Sequence, residues 1–305
     1  MTYSMEADLG AIGNLKSPII VVSGTYGSAK PYQELLNSQP IGAAVTKTIT
    51  KAPKSGNPQP RILEGKGWII NSIGLENPGI EAFVEHFEED YATASYPLIL
   101  SISGESVQEF CYLAEKAEPL STPIALELNL SCPNVDDEGL AFGLKRERIT
   151  EVVTECRKIS RFPLIAKFSP FQAIDASFAI AAYKAGVSAI SLINTMPAMK
   201  LDIRRFRSAL GFLSGGMSGP ALKPIALKMV YEISRSVPIP VIGMGGISCG
   251  EDAIEFLMAG AKAIGIGTAN LVDPTVHTAV YSDIRSFIEE NRLSSIRDIP
   301  KLLRR

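Results

Sequence analysis

Short, near-continuous apolar runs recur along the chain: IIVVSG (19–24), GAAVTKT (42–48), LILSIS (98–103), IALELN (124–129), LIAKFS (164–169), AISLIN (189–194), PVIGMG (240–245) and AIGIGT (263–268). Consecutive β-branched and aliphatic positions suit strands buried on both faces, as in a parallel sheet. Between them lie segments with a helical period, such as SVQEFCYLAEKAE, ERITEVVTECRKIS, IDASFAIAAYKAG and PALKPIALKMVYEISRS. Gly186 and Gly260 stand where a helix should stop, each just before the next strand. Alternating β and helical units without a low-complexity linker predict an α/β fold, a single (β/α)8 TIM barrel domain spanning 1–305. A doubly wound sheet is the alternative. Two connections, 49–80 and 195–219, are too long for plain βα loops and read as inserted loops at the C-terminal face, serving as lids or binding loops.

Polar residues gather at the C-terminal end of almost every predicted strand: Ser23, Lys47 and Thr48, Ser101, Asn129, Lys167, Asn194 and Thr195, Gly245 and Gly246, Gly267 and Thr268. In a barrel these ends converge on one face, where active sites are built. Loops begin at strand ends, which alone makes them polar, but two lysines whose stems start inside a packed layer need a further reason.

Composition narrows the classes. The chain has 305 residues, is 46% hydrophobic and carries a net charge of −2. That balance leaves no nucleic-acid footprint, and no apolar run reaches the ~18 residues of a membrane span. The N-terminus lacks the order of a signal peptide, so a soluble cytoplasmic protein is expected. Four scattered cysteines and two histidines offer neither a disulfide framework nor a metal site.

The stretch PVIGMGGISCGEDAIEFLMAGAKAIGIGTAN places glycines after the seventh and eighth strands. It lacks the third glycine of a dinucleotide fingerprint. It suits instead a barrel phosphate site, with backbone N–H groups and a helix N-terminus near Glu251 holding the anion. Of Lys47 and Lys167, one would then stabilise a reduced flavin ring and the other a substrate carboxylate, since a buried ammonium needs an anion or an electron-rich ligand. Schiff-base chemistry is the rival reading for them. The amides of Asn71, Asn129, Asn134 and Asn194 favour a flat ligand with donors and acceptors around its rim, such as a pyrimidine. Cys132, in LNLSCPN, has three readings. The polar cluster around it argues against an inert thiol, and neither histidine is placed to activate a nucleophile. The third is a general base that lifts a proton beside a carbonyl, on a loop (135–146) that closes over substrate.

Taken in order, SGTYG, TKTIT with GNPQPRI, NSIGLENPG, LNLSCPN, AKFSP, LINT, GGMSGPALKP and GMGGIS with GIGTAN resemble the dihydroorotate dehydrogenase family over about 18–275. A cysteine in the base position is similar to the soluble class 1. GGMSGPALKP and LINT resemble the catalytic FMN subunit of its NAD-dependent class 1B. The resemblance implies oxidation of (S)-dihydroorotate to orotate for UMP synthesis. Cys132 would take the C5 proton while the FMN accepts hydride from C6. Electrons would pass to NAD through a partner subunit carrying FAD and a [2Fe–2S] cluster, in a heterotetramer built on a homodimer of this chain. The same resemblance implies FMN contacts at Ser23, Lys47, Thr48, Ser101, Asn129, Lys167, Ile193, Gly219, Gly245, Gly246, Gly267 and Thr268. Substrate contacts fall at Lys47, Asn71, Ser72, Ile73, Gly74, Leu75, Asn129, Asn134, Asn194 and Thr195. No metal site is implied on this chain. Ser101 departs from the pattern, since the family usually carries asparagine there. Three alternatives stay open: a fumarate-linked class 1A enzyme, a barrel like that of dihydropyrimidine dehydrogenase, and a catalytically silent flavin-binding scaffold.

Overall fold

Each predicted apolar run supplies one strand of a closed, all-parallel barrel: β1 (Ile19–Val21), β2 (Ala43–Val45), β3 (Leu98–Ile102), β4 (Pro123–Asn129), β5 (Leu164–Phe168), β6 (Ala189–Leu192), β7 (Val241–Met244) and β8 (Ala263–Ile266). The structure, a computed structural model, describes residues 3–26, 30–131 and 145–304. Neighbours in sequence are neighbours in the barrel, and β8 closes on β1 with Ile264 opposite Ile19. The doubly wound alternative is therefore excluded. Closure leaves no unpaired edge, and the strands are buried throughout or nearly so, which is why the runs are almost unbroken hydrophobic sequence.

Helices cover the outside, one main helix after each strand. Their ends follow local chemistry. Ser106 caps Val107–Ala117 by accepting from Glu109 N, and Asp175 caps Ala176–Ala185. Gly186 and Gly260 end their helices in the left-handed conformation, as their positions before β6 and β8 imply. At the N-terminal ends of the strands, a short hairpin pairs Ala7–Asp8 with Asn14–Leu15 and buries Leu9 and Leu15.

The two long connections do not form separate lids. Residues from 49–80 contribute Ile62–Gly65 and Trp68–Asn71, and residues from 195–219 contribute Met196–Ala198 and Gly215–Ser218. Together they make one antiparallel four-stranded cap sheet in which Gly216 pairs with Asn71 and Met217 with Ile70. The contact is tight because two glycines stand at the seam. A methyl group on Gly215 would lie 2.3 Å from Asn71 O, and one on Gly216 would lie 2.0 Å from Thr195 Oγ1. The cap thereby fixes Asn71 beside Thr195 at the C-terminal face of the barrel.

Candidate active site at the barrel mouth

The polar residues at and just past the strand ends join one another. Ser23 Oγ lies 3.0 Å from Thr48 Oγ1, which lies 2.9 Å from Ser101 Oγ. Ser101 donates to Glu127 Oε1 at 3.2 Å, and Ser191 donates to Glu127 Oε2 at 3.1 Å. Ser191 stands on β6 and Glu127 on β4, with β5 between them, so this contact crosses the barrel interior. Lys167 Nζ comes within 3.9 Å of Glu127 Oε1, both side chains being less than a tenth exposed. A buried carboxylate is costly unless each oxygen finds a partner, and here each does.

A second branch leads to the cap. Asn129 Nδ2 reaches Thr48 Oγ1 at 3.5 Å, and Asn194 Nδ2 reaches Asn129 Oδ1 at the same distance. Asn194 Oδ1 accepts from Thr195 N at 2.8 Å, and Asn71 donates to Gly216 O at 3.2 Å. Three of the four amides picked out in the sequence thus converge on one mouth. Ser72 is buried and accepts from Asn57, Ile73 O accepts from Asn57 N, and Leu75 O accepts from Asn77, so the 71–75 segment is pinned from both sides in sequence. Gly74 and Leu75 both hold positive φ within that turn. Arg61 is committed to the same loop, pairing with Glu76 at 2.5 Å and bonding the carbonyls of Asn57 and Ser55.

Lys47 is half-buried, and its pKa falls below the ordinary lysine value. Burial is the main cause, followed by the positive charge of Lys167; Glu76 partly opposes both. Two ammonium groups that feel each other across a mouth lined by amides make a site for an anionic, hydrogen-bonding ligand.

The glycine loops form the third wall. Gly219, Gly245 and Gly246 all hold positive φ. A methyl group on Gly245 would lie 2.7 Å from Ala226 Cβ, and one on Gly246 would lie 2.7 Å from Lys223 N. Bare backbone is therefore required there. Thr268 Oγ1 donates to Ser218 Oγ at 2.8 Å, Gly267 packs on Val22, and Ile193 is buried beneath with its N–H on Met244 O. One expectation fails. The helix N-terminus near Glu251 is already capped, because Asp252 accepts from Ser248 N and Cys249 N, and Asp283 accepts from Gly250 N. Lys223 binds the other oxygen of Asp252 at 2.7 Å. Carboxylates of the chain itself occupy that helix end.

Cys132 and Asn134 lie outside the described residues, as does the loop behind them up to 144. Glu127 and Ser191 were not singled out in the sequence, although a lone acidic residue inside IALELN was a visible signal. Among the described residues no cluster of His, Cys, Asp or Glu could hold a metal ion, and no helix is long and apolar enough to cross a membrane.

A family model described as dihydroorotate dehydrogenase matches residues 11–288. The chain belongs to the dihydroorotate dehydrogenase family. Among its curated relatives, "Dihydroorotate dehydrogenase B (NAD(+)), catalytic subunit" of Desulforudis audaxviator is 44% identical over 95% of this chain and 93% of its own. The protein of that description from Caldicellulosiruptor saccharolyticus is 42% identical over 97% and 98%, and that of Geotalea uraniireducens 40% over 93% of each. The matched span of this dihydroorotate dehydrogenase family member contains all eight barrel strands and both halves of the cap sheet.

Proposed function

We propose that this chain is the catalytic subunit of an NAD-linked dihydroorotate dehydrogenase, a soluble cytoplasmic enzyme that oxidises (S)-dihydroorotate to orotate for pyrimidine synthesis. The observation that carries the reading is the network joining Thr48, Ser101, Asn129 and Asn194 beside Lys47 and Lys167 at one barrel mouth. The whole chain, 1–305, acts as one domain in this reading.

The residues fit FMN. Gly219, Gly245, Gly246, Gly267 and Thr268 offer side-chain-free backbone and a hydroxyl pair for its phosphate. Ser23, Thr48, Ser101, Asn129 and Ile193 would line the way inward, and the Lys167 ammonium would stabilise the negative charge that the flavin gains on reduction. When bound, FMN supplies the hydride acceptor. Lys47 attracts the carboxylate of dihydroorotate, and the amides of Asn71, Asn129, Asn134 and Asn194 with the Thr195 hydroxyl hold the ring edges, with the Ser72–Leu75 turn behind them. Cys132 accepts the C5 proton. Electrons leave to NAD through a partner subunit with FAD and a [2Fe–2S] cluster, on a homodimer of this chain.

Anaerobic mixing with dihydroorotate tests the reading, since the bound flavin should bleach without any partner. Cys132→Ala should slow that bleaching about 100-fold, the scale for losing a positioned base. The isolated chain should reduce artificial dyes but not NAD until the partner subunit is added. Bleaching at the wild-type rate in Cys132→Ala would remove the proton-abstraction role, and robust fumarate reduction by this chain alone would remove the NAD assignment.

A further inference from the structure

Glu127 lies deeper in the barrel than the mouth. It precedes Asn129 by two positions on β4, roughly 6.6 Å along a strand, and Asn129 is the residue level with Lys167. Its carboxylate is gripped on both sides, by Ser101 from β3 and by Ser191 from β6. Three strands thus fix one side chain in one orientation. Lys167, on β5, comes down to it at 3.9 Å, in the only ion pair among the described residues with both partners under a tenth exposed. The distance is informative. The exposed pair of Lys54 with Glu105 closes to 2.8 Å and spends a donor on its partner. At 3.9 Å the carboxylate steers the ammonium and leaves its N–H groups for a ligand above. Lys47 stands on the opposite side of the balance, since its charge and that of Lys167 repel.

We infer that Glu127 is a positioning residue, holding the Lys167 ammonium from below so that it meets the flavin ring. The inference rests on the proposed function, because it assigns Lys167 to bound FMN. It fixes a sign. A carboxylate acting only as a nearby negative charge opposes flavin reduction, so its removal would raise the potential. A carboxylate that places Lys167 favours reduction through the lysine, so its removal lowers the potential.

The experiment is a spectroelectrochemical titration of FMN bound to the wild type, Glu127→Gln, Lys167→Ala and the double variant. Gln keeps the shape but not the charge; its carbonyl oxygen accepts from one serine and its NH2 donates to the other, whose hydroxyl must turn. The expected result is at least tenfold weaker preference for reduced over oxidised FMN in Glu127→Gln, about 30 mV downward for a two-electron couple. In the Lys167→Ala background the same change should add nothing downward, because the effect passes through the lysine. An unchanged or raised potential in Glu127→Gln overturns the inference, as does an equal fall without Lys167. Where Glu127→Gln does not fold or keep its flavin, Ser191→Ala decides, since it keeps both charges and loosens one tether; a smaller fall supports the inference and no fall overturns it. If wild-type protein binds no FMN at all, the proposed function has failed and this inference with it.

Discussion

Replacing Gly216 by alanine tests whether the cap sheet sets the geometry of the mouth. Gly216 sits on the inner strand Gly215–Ser218, between Met196–Ala198 and Trp68–Asn71. A methyl group there would come to 2.0 Å from Thr195 Oγ1 and 2.6 Å from Thr195 Cβ. Ordinary contact is well above 3 Å, so Thr195 must retreat by about an ångström or more, because backbone flanks Gly216 on both sides. Thr195 N is bonded to Asn194 Oδ1, and its retreat drags the Asn194 amide off its line to Asn129. Overpacking of this kind costs about 1–3 kcal/mol. If the bound state bears that cost, orotate binds about 5- to 150-fold more weakly. Titrating orotate into holoenzyme by calorimetry measures the loss. Adding Thr195→Gly provides the check, since the Gly216→Ala penalty on stability should nearly vanish once the side chain it strikes is gone. Orotate affinity within twofold of wild type in Gly216→Ala would refute the claim that the cap holds the substrate amides in register.

Three further outcomes are expected. Because burial and Lys167 depress the pKa of Lys47, an anionic ligand should restore its charge; orotate binding should take up protons in the alkaline range, as calorimetry in buffers of different ionisation heat reports, and Lys47→Met should abolish the uptake. His277 is fully buried, donates Nδ1–H to Gln39 and is pushed down to about 4 by burial. Its folded value lies below the unfolded 6.5, so its contribution of about 3 kcal/mol is complete above pH 6.5 and disappears as pH falls toward 4; in urea melts between pH 7 and 4.5 the wild type should lose about 2–3 kcal/mol more than His277→Gln does. Asp252→Ala should release Lys223 and three capping contacts and lower stability by about 1–2 kcal/mol, with thermal melts unchanged if that helix end is uncapped in solution.

The barrel was legible because burial on both faces writes itself into consecutive residues. The eight runs each contain a strand, but most of the strands end before the run does. Thr48, Ser103 and Asn194 belong by hydropathy to their runs; their side chains bond other strand ends at the mouth, while Ser103 N and Asn194 N still pair with Ile49 O and Phe168 O. The two long insertions announced themselves by length. Their union in a single sheet left no local trace, because Gly216 and Asn71 are far apart in sequence and only the seam glycines hint at close approach. Glu127 went unread for the same reason, as its partners come from three other strands. The capped helix near Glu251 is a different kind of miss. SCGED already contains an acid three residues beyond the cap position, the spacing of a self-satisfied helix start.

The shared cap sheet also governs how such an enzyme can diversify. A loop that folds on its own can be lengthened, exchanged or recombined without consulting the rest of the chain. Here the stretch after β2 and the stretch after β6 are two halves of one hydrogen-bonded object, so a chimera that imports one half inherits a mismatch along the whole seam. Novelty at this mouth must come as paired inheritance, the two segments travelling together or changing in compensating steps, while the helices on the opposite side of the barrel remain free to drift one at a time.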